Sequence, residues 1–381
     1  MRPYFSGLLA AALALTPPGL RADEIAPFAD TGEARRQDSE EARLWEQSRE
    51  LDEAMRKSGR LNADTELNAY LQRIADRLFP EFNGSLRLHT VKSPLLNAFA
   101  VPNGGLYINE GMIARADNEA QLATVIAHEG AHFTHRHGYR SQQRTKNATG
   151  FALAVSLLGV PLVGDLLAMS SIFGYSRDLE READKEGFIR LERAGYAVRE
   201  APKVFEHLAS EVAASDISEP FFFSTHPRLR ERVESFNELV AGREDGTVNA
   251  EEYLRRTASL RLDVLREELA MGRHKSVLAM LAPENRAKFP PEADFYLGEA
   301  YRLRAAEGDT TRAFAAYSGA SARAPWFAPP QRALGVHHLK QANYPEAIHY
   351  LENYLRLAPE AKDRKYVEQY LGIAKSRNNT P

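Results

Sequence analysis

Two histidines and a glutamate form a short motif, His128-Glu129-Gly130-Ala131-His132. On a helix, residues four apart project from the same face, so both imidazoles can bind one metal ion. Zinc accepts neutral imidazole nitrogens, and three protein ligands leave a fourth position for water. Glu129 is then placed to take a proton from that water and to return it to a leaving amine. The motif therefore predicts a zinc-dependent hydrolase.

The third metal ligand must come from elsewhere in the chain. His135 and Gly138 stand in the reverse of the order that the extended H-E-x-x-H-x-x-G-x-x-H motif requires, which excludes that class. Within 176–184, Glu180 and Asp184 are four residues apart and share a helix face. Spacing leaves two interpretations open. Either Glu180 binds the metal and Asp184 orients the site, or both acids form a solvated face that pairs with nearby arginines.

Predicted elements on both sides of the motif would position these side chains. A β-rich stretch over 86–108 predicts three short strands. A long amphipathic helix follows, from Asp117 or Asn118 to about His137, and carries the motif. Helical spacing over 176–194 places the acidic residues on a later helix. The sequence thus predicts a metal site between two helices beside a small sheet.

Composition narrows the class of protein. The chain has 381 residues, a formal net charge of −3 and no cysteine. This charge does not favour nucleic-acid binding, and the lack of cysteine excludes thiolate metal ligands and cysteine nucleophiles. Arg2, the apolar run 7–15 and the helix-breaking residues 17–19 predict a secretory signal peptide over 1–22. The signal peptide predicts an exported protein. A lack of cysteine is compatible with the bacterial periplasm, where disulfides are permitted but not required, so we expect a periplasmic protein.

The C-terminal third contains an internal repeat. A Leu-Gly pair, a later alanine and a closing proline recur within 295–325 and 330–359, with the spacing of a helix–turn–helix repeat of about 34 residues. This region resembles the tetratricopeptide repeat family over roughly 255–378. The resemblance implies stacked helix pairs with a concave surface. An unrelated helical bundle is the alternative.

Three motifs follow one another along the chain: H-E-x-x-H at 128–132, Arg136-His137, and Ser176-Arg177-x-x-Glu180-x-x-Ala183-Asp184. Over about 60–240 they resemble the zinc metallopeptidase family that includes the CAAX prenyl protease and HtpX. The signal peptide and repeats resemble the periplasmic branch of that family. The resemblance implies one zinc ion per subunit, bound by His128, His132 and Glu180, with Asp184 as a companion carboxylate that does not bind the metal.

The expected fold class is α+β and mostly α. We predict a signal peptide over 1–22 and a gluzincin-like zinc peptidase domain of helices and a small sheet over 23–245. An all-α solenoid of tetratricopeptide repeats is expected over 246–381. The hydrophilic run 242–246 marks the predicted boundary.

Other features near the site have more than one interpretation. His226, in a Ser-Thr-His-Pro segment that resembles one in family members, could stabilise an oxyanion, latch the open zinc position or begin a helix. The apolar stretch 150–174 is either a lid or partner-binding surface, or a hairpin buried against the core. His135 and His137 are not predicted as ligands.

A substrate-binding strand is expected just before the motif helix. In zinc proteases of this shape, substrate adds as an extended strand beside an edge strand, and backbone hydrogen bonds supply much of the binding. The candidate residues are Asn97, Ala98, Phe99 and Ala100.

The favoured function is a periplasmic zinc endopeptidase that cleaves misfolded or stalled envelope and outer-membrane proteins. The repeats would dock these substrates and could also contact outer-membrane assembly machinery or the membrane surface; no nucleic-acid partner is expected. The alternative is a chaperone or assembly scaffold with latent or occasional proteolysis. A non-proteolytic zinc hydrolase has no positive support. Glu129 favours an enzyme, because a scaffold needs no general base.

Overall fold

The computed structural model describes residues 25–34, 39–145, 175–215, 229–243 and 246–379. The predicted signal peptide, the stretch 150–174 and His226 lie outside these residues. The helices are α1 (Thr31–Ala34), α2 (Ser39–Lys57), α3 (Thr65–Leu78), α4 (Glu110–Arg115), α5 (Glu119–Thr134), α6 (His137–Thr145), α7 (Arg177–Arg193), α8 (Ala201–Ser215), α9 (Leu229–Val240), α10 (Ala250–Ala270), α11 (His274–Met280), α12 (Ala293–Arg304), α13 (Asp309–Arg323), α14 (Pro329–Lys340), α15 (Tyr344–Leu357) and α16 (Arg364–Asn378). The expected fold class, mostly helical with a small sheet, is confirmed.

Three short strands form the sheet of the described residues, in the order β1 (Arg87–Val91), β3 (Gly105–Asn109), β2 (Ala98–Ala100). β1 and β3 are parallel, whereas β2 and β3 are antiparallel. Gly104 permits the turn between β2 and β3, since its φ is 84° and a Cβ there would lie 2.3 Å from Ser85 O. β2 is thus an edge strand of this sheet, beside α5.

Helix α5 is the central element of the N-terminal part. Asn118 caps it by accepting a hydrogen bond from the Gln121 backbone N–H. Every residue of α5 is buried, so the prediction of an amphipathic helix was wrong: β2, β3 and the neighbouring helices cover it from several sides. The helix also ends at Thr134, before the predicted end near His137. Arg136 adopts a left-handed φ of 56°, and α6 begins in a new direction at the next residue.

Glycines allow the elements around α5 to approach closely. A Cβ on Gly130 would lie 2.4 Å from the ring of Phe79, so only glycine fits at the centre of the motif. On α7, a Cβ on Gly187 would lie 3.1 Å from the backbone nitrogen of His128. The first contact places Phe79, at the end of α3, and the second places α7 against the turn of α5 that carries the motif.

The C-terminal helices pack in successive neighbouring pairs. α12 packs against α13, and α14 against α15. In both pairs the glycine of the Leu-Gly landmark faces a side chain of the partner helix, Gly298 against Tyr317 and Gly335 against Leu351. One hydrophobic cluster includes buried residues from Phe28, near the N-terminal end, to Ala300 on α12. It therefore connects the N-terminal part of the chain with the first of these helix pairs. The assignment to tetratricopeptide repeats stays a prediction.

Within the described part of the chain, no helix has the length and apolar character needed to cross a membrane.

Candidate active site

Three buried side chains converge where α5 and α7 pack together. His128 and His132 lie one turn apart on α5, and Glu180 lies in the first turn of α7. Glu180 Oε2 is 3.4 Å from His128 Nε2, and Glu180 Oε1 is 3.6 Å from His132 Nε2. The two Nε2 atoms are 3.1 Å apart. Two imidazoles and a carboxylate whose donor atoms all lie within 4.8 Å of one another fit a divalent metal ion.

The acidic residues of α7 are not a solvated face. Glu180 and Asp184 are each only 5% exposed, which excludes the alternative that spacing left open. Ser176 immediately precedes α7, and its carbonyl accepts a hydrogen bond from the Glu180 N–H. The start of the helix therefore fixes where the Glu180 carboxylate lies.

Glu129 is fully buried next to the two histidines of the motif. The backbone of Ala100 in β2 lies beside its carboxylate and favours the ionised form, so the motif helix and the edge strand meet at this residue. Burial raises the pKa of the Glu129 carboxyl to about 8, although His128 and Arg232 oppose the shift. A cation bound by the neighbouring ligands would oppose it further. This carboxylate lies between the metal donors and the predicted substrate strand.

Asp184 and Arg232 support the first histidine. Asp184 Oδ1 is 2.9 Å from His128 Nδ1, so it can accept the Nδ1 hydrogen and leave Nε2 for the metal. Arg232, on α9, donates to both Asp184 oxygens, with distances of 2.6 to 3.1 Å, and its guanidinium lies over the Phe205 ring. Burial would raise the pKa of Asp184, but Arg232 and His128 hold it below its usual range. Asp184 thus contacts His128, a candidate metal ligand, and its role in orienting the site stays a prediction.

Different residues surround the second histidine. The Tyr175 ring stacks on the His132 ring with centroids 3.9 Å apart. His132 Nδ1 is 2.8 Å from His137 Nδ1, and Glu182 Oε2 is 3.4 Å from His137 Nε2. Burial lowers the pKa of His137 to about 4, and the contacts with His137 and Arg140 lower the pKa of Glu182 to about 2. The structure thus places His137, which was not predicted as a ligand, beside the candidate ligand His132.

Sequence reasoning did not find Arg232 or Tyr175. Arg232 is one of several arginines in 228–243, and no spacing distinguishes it from the others. Tyr175 directly precedes Ser176-Arg177, the start of the acidic motif, and this position is the one sequence feature that could have identified it. His135 hydrogen-bonds the Thr134 hydroxyl at 3.1 Å and is not among the residues that could hold a metal.

The predicted substrate strand is largely the observed strand β2. It contains Ala98, Phe99 and Ala100, with Asn97 immediately before it, and all four residues are buried. The Asn109 N–H donates to Asn97 O across the antiparallel pair with β3. Because successive residues direct their backbone groups to opposite edges, those of Ala98 and Ala100 face away from β3. The strand's role in binding substrate stays a prediction.

Comparisons with known proteins agree with this geometry. The model of peptidase family M48 matches residues 64–240, which contain both motifs. A putative beta-barrel assembly-enhancing protease of Vibrio cholerae is 34% identical over 187 residues, 45% of this chain and 38% of that protein. The mitochondrial metalloendopeptidase OMA1 of Arabidopsis thaliana is 35% identical over 146 residues, 37% of this chain and 29% of that protein.

The beta-barrel assembly-enhancing protease of Escherichia coli is 28% identical over 195 residues, 47% of this chain and 40% of that protein. In these three alignments the chain spans less than half the length of the relative. The resemblance stated from the motifs is confirmed: residues 64–240 are similar to peptidase family M48.

Proposed function

We propose that this protein is a zinc-dependent endopeptidase of the periplasm that cleaves misfolded or stalled envelope proteins. The observation that carries the proposal is the buried group of His128, His132 and Glu180, with the Glu129 carboxylate beside it. The match to family M48 and the names of the relatives support a metalloprotease.

His128, His132 and Glu180 would hold the zinc ion. When bound, zinc would act as a Lewis acid toward the peptide carbonyl and the attacking water. Glu129 accepts a proton from that water as it attacks the carbonyl carbon, and donates the proton to the amine when the C–N bond breaks. Asp184 keeps the His128 ring in the tautomer that presents Nε2.

Substrate would bind in extended form along β2. The backbone groups of Ala98 and the carbonyl of Ala100, which face away from β3, can pair with a peptide and place its scissile bond near Glu129. Backbone pairing requires an unfolded segment and few particular side chains. This favours misfolded or incompletely assembled proteins as substrates.

The C-terminal helices would dock the substrate. This region exposes large side chains, including Trp326 at 62%, in the turn between α13 and α14, and Tyr366 at 65%, on α16. Exposed aromatic groups on stacked helices favour a binding surface for protein segments. The relatives named for beta-barrel assembly support outer-membrane proteins as the substrate class.

Cleavage of an unfolded protein tests this proposal. Purified protein without the predicted signal peptide is loaded with zinc and incubated with casein, beside the variant Glu129→Gln. We expect the variant to retain zinc and to lose cleavage by about 10²- to 10⁴-fold, because it lacks the proton acceptor. The matched control is Glu110→Gln, since Glu110 is a buried glutamate on α4 that hydrogen-bonds Asn62 at 2.6 Å, outside the metal site.

Two outcomes would change the interpretation. If the unmodified protein does not cleave casein and His226→Ala does, the result would support a peptidase whose open zinc position is blocked by His226. Silence of every zinc-loaded variant, including His226→Ala, would contradict the proposal and favour the assembly-scaffold alternative.

A further inference from the structure

The second metal-binding histidine has a hydrogen-bond partner that is itself a histidine. The Nε2 atom of His132 faces Glu180 and His128, and its Nδ1 atom lies 2.8 Å from His137 Nδ1. Both rings are buried, and Tyr175 covers one face of the His132 ring. A nitrogen–nitrogen distance of 2.8 Å requires one donor and one acceptor.

The donor and acceptor can be assigned by counting hydrogens. If His132 Nε2 binds a metal, its single ring hydrogen is on Nδ1, and His137 Nδ1 must accept it. The hydrogen of His137 is then on Nε2, which faces Glu182 Oε2 at 3.4 Å. Arg140 in turn donates to the same Glu182 oxygen at 2.9 Å.

We propose that His137 and Glu182 are positioning residues for the metal ion: they hold His132 in the tautomer and orientation that present Nε2. The proposal rests on the metal site of the proposed function. It gives the two histidine ligands different partners, a carboxylate for His128 and a histidine followed by a carboxylate for His132.

The fold explains why His137 reaches this position. Arg136 has a left-handed φ of 56°, so α5 ends and α6 starts with the His137 side chain directed back at His132. Arg136 is held in this conformation by Glu41, which accepts hydrogen bonds at 2.9 and 2.6 Å. His135 lies two residues earlier and contacts the Thr134 hydroxyl rather than His132, with its ring centroid 5.7 Å from that of His137. It is therefore a matched control histidine.

Zinc affinity measured by competition with a chelator tests the proposal without using peptidase activity. In His137→Asn the amide oxygen can replace Nδ1 as acceptor, whereas His137→Leu keeps the approximate volume but has no acceptor. We expect His137→Leu to lower zinc affinity by about 10- to 100-fold, and His137→Asn to lower it much less. Glu182→Gln should have a smaller effect than His137→Leu, and His135→Leu should match the unmodified protein.

The order of the two His137 variants decides the question. If His137 served only for packing, leucine would be tolerated better than the smaller asparagine. The visible absorption of the cobalt-loaded proteins should follow the same order as zinc affinity, because it reports ligand geometry. Zinc affinity of His137→Leu equal to that of His135→Leu would overturn the proposal, even if the unmodified protein binds zinc and cleaves casein. Failure of the unmodified protein to bind zinc would overturn the metal site itself.

Discussion

At the scale of single residues, the site depends on charges that are buried in pairs. Asp184 and Arg232 are 5% and 4% exposed, so each is stabilised by the other rather than by water. Removing one member of such a pair leaves an uncompensated charge in the interior, and this costs more than the pair itself contributes. The pair therefore serves to fix the His128 ring in one orientation.

The variant Arg232→Met should destabilise the protein strongly. We expect the free energy of unfolding to fall by about 3 to 5 kcal/mol, because Asp184 loses its cationic partner. The matched control is Arg243→Met, on an arginine that is half-exposed and lies 3.3 Å from Glu192. There we expect a change of about 1 kcal/mol or less. Urea unfolding followed by circular dichroism measures both, and equal losses would contradict the argument.

The candidate metal ligands and Asp184 could be found from the sequence, but the more distant partners of these residues could not. His128 and His132 lie one helix turn apart, and so do Glu180 and Asp184. Spacing left the role of the two acids open, and the family resemblance assigned it. Arg232 is separated from Asp184 by 48 residues, and only the packing of α9 against the rest of the fold brings the two together. Such contacts depend on the tertiary structure, and residue spacing along one helix does not predict them.

At the scale of elements, the burial of the motif helix α5 depends on how closely the neighbouring elements pack around it. Its hydrophobic residues suggested one apolar side, yet all sixteen positions are buried, including Glu119 and Gln121. Tyr70 and Tyr196 donate to Glu119, which shows how a buried acid is satisfied without a basic residue. Periodicity predicted that this helix exists, but it could not predict burial that depends on hydrogen bonds from distant elements.

Two glycine substitutions should have opposite effects. Gly130→Ala should lower the free energy of unfolding by about 1 to 3 kcal/mol, because its Cβ would meet the buried Phe79 ring at 2.4 Å. Gly372→Ala, on α16, meets nothing within 4 Å and should stabilise its helix by about 0.5 to 1 kcal/mol. Thermal unfolding monitored at 222 nm provides the comparison. A Gly130→Ala protein as stable as the unmodified one would show that Phe79 can move aside.

At the scale of the whole molecule, the peptidase domain and the C-terminal helices share a buried junction. On α10, Tyr253 donates from its hydroxyl to the Ile113 carbonyl at 2.7 Å. Arg261 donates to the carbonyls of Ala114 and Ala116 at 2.8 and 2.6 Å, at the end of α4. These contacts satisfy carbonyl groups that the short helix α4 leaves without partners of its own. The junction therefore stabilises α4, which directly follows strand β3.

The same junction contains a buried ion pair between the two parts of the chain. Arg115 Nη2 lies 2.7 Å from Glu268 Oε1, and their side chains are 4% and 0% exposed. The predicted domain boundary near 245 falls before Glu268, so a cut there would separate the two charges. A cut after 291 would keep α10 and α11 on the peptidase domain and leave the pair intact.

Two truncated proteins should therefore differ in stability. We expect a protein that ends after residue 245 to unfold at lower temperature and to aggregate, because Arg115 loses its partner and the carbonyls of Ala114 and Ala116 lose their donor. A protein that ends after residue 291 should remain soluble and unfold cooperatively. Soluble yield and scanning calorimetry distinguish them. If the shorter protein is as stable as the longer one, then the peptidase domain folds without α10, and the boundary predicted from the hydrophilic run at 242–246 is also the folding boundary.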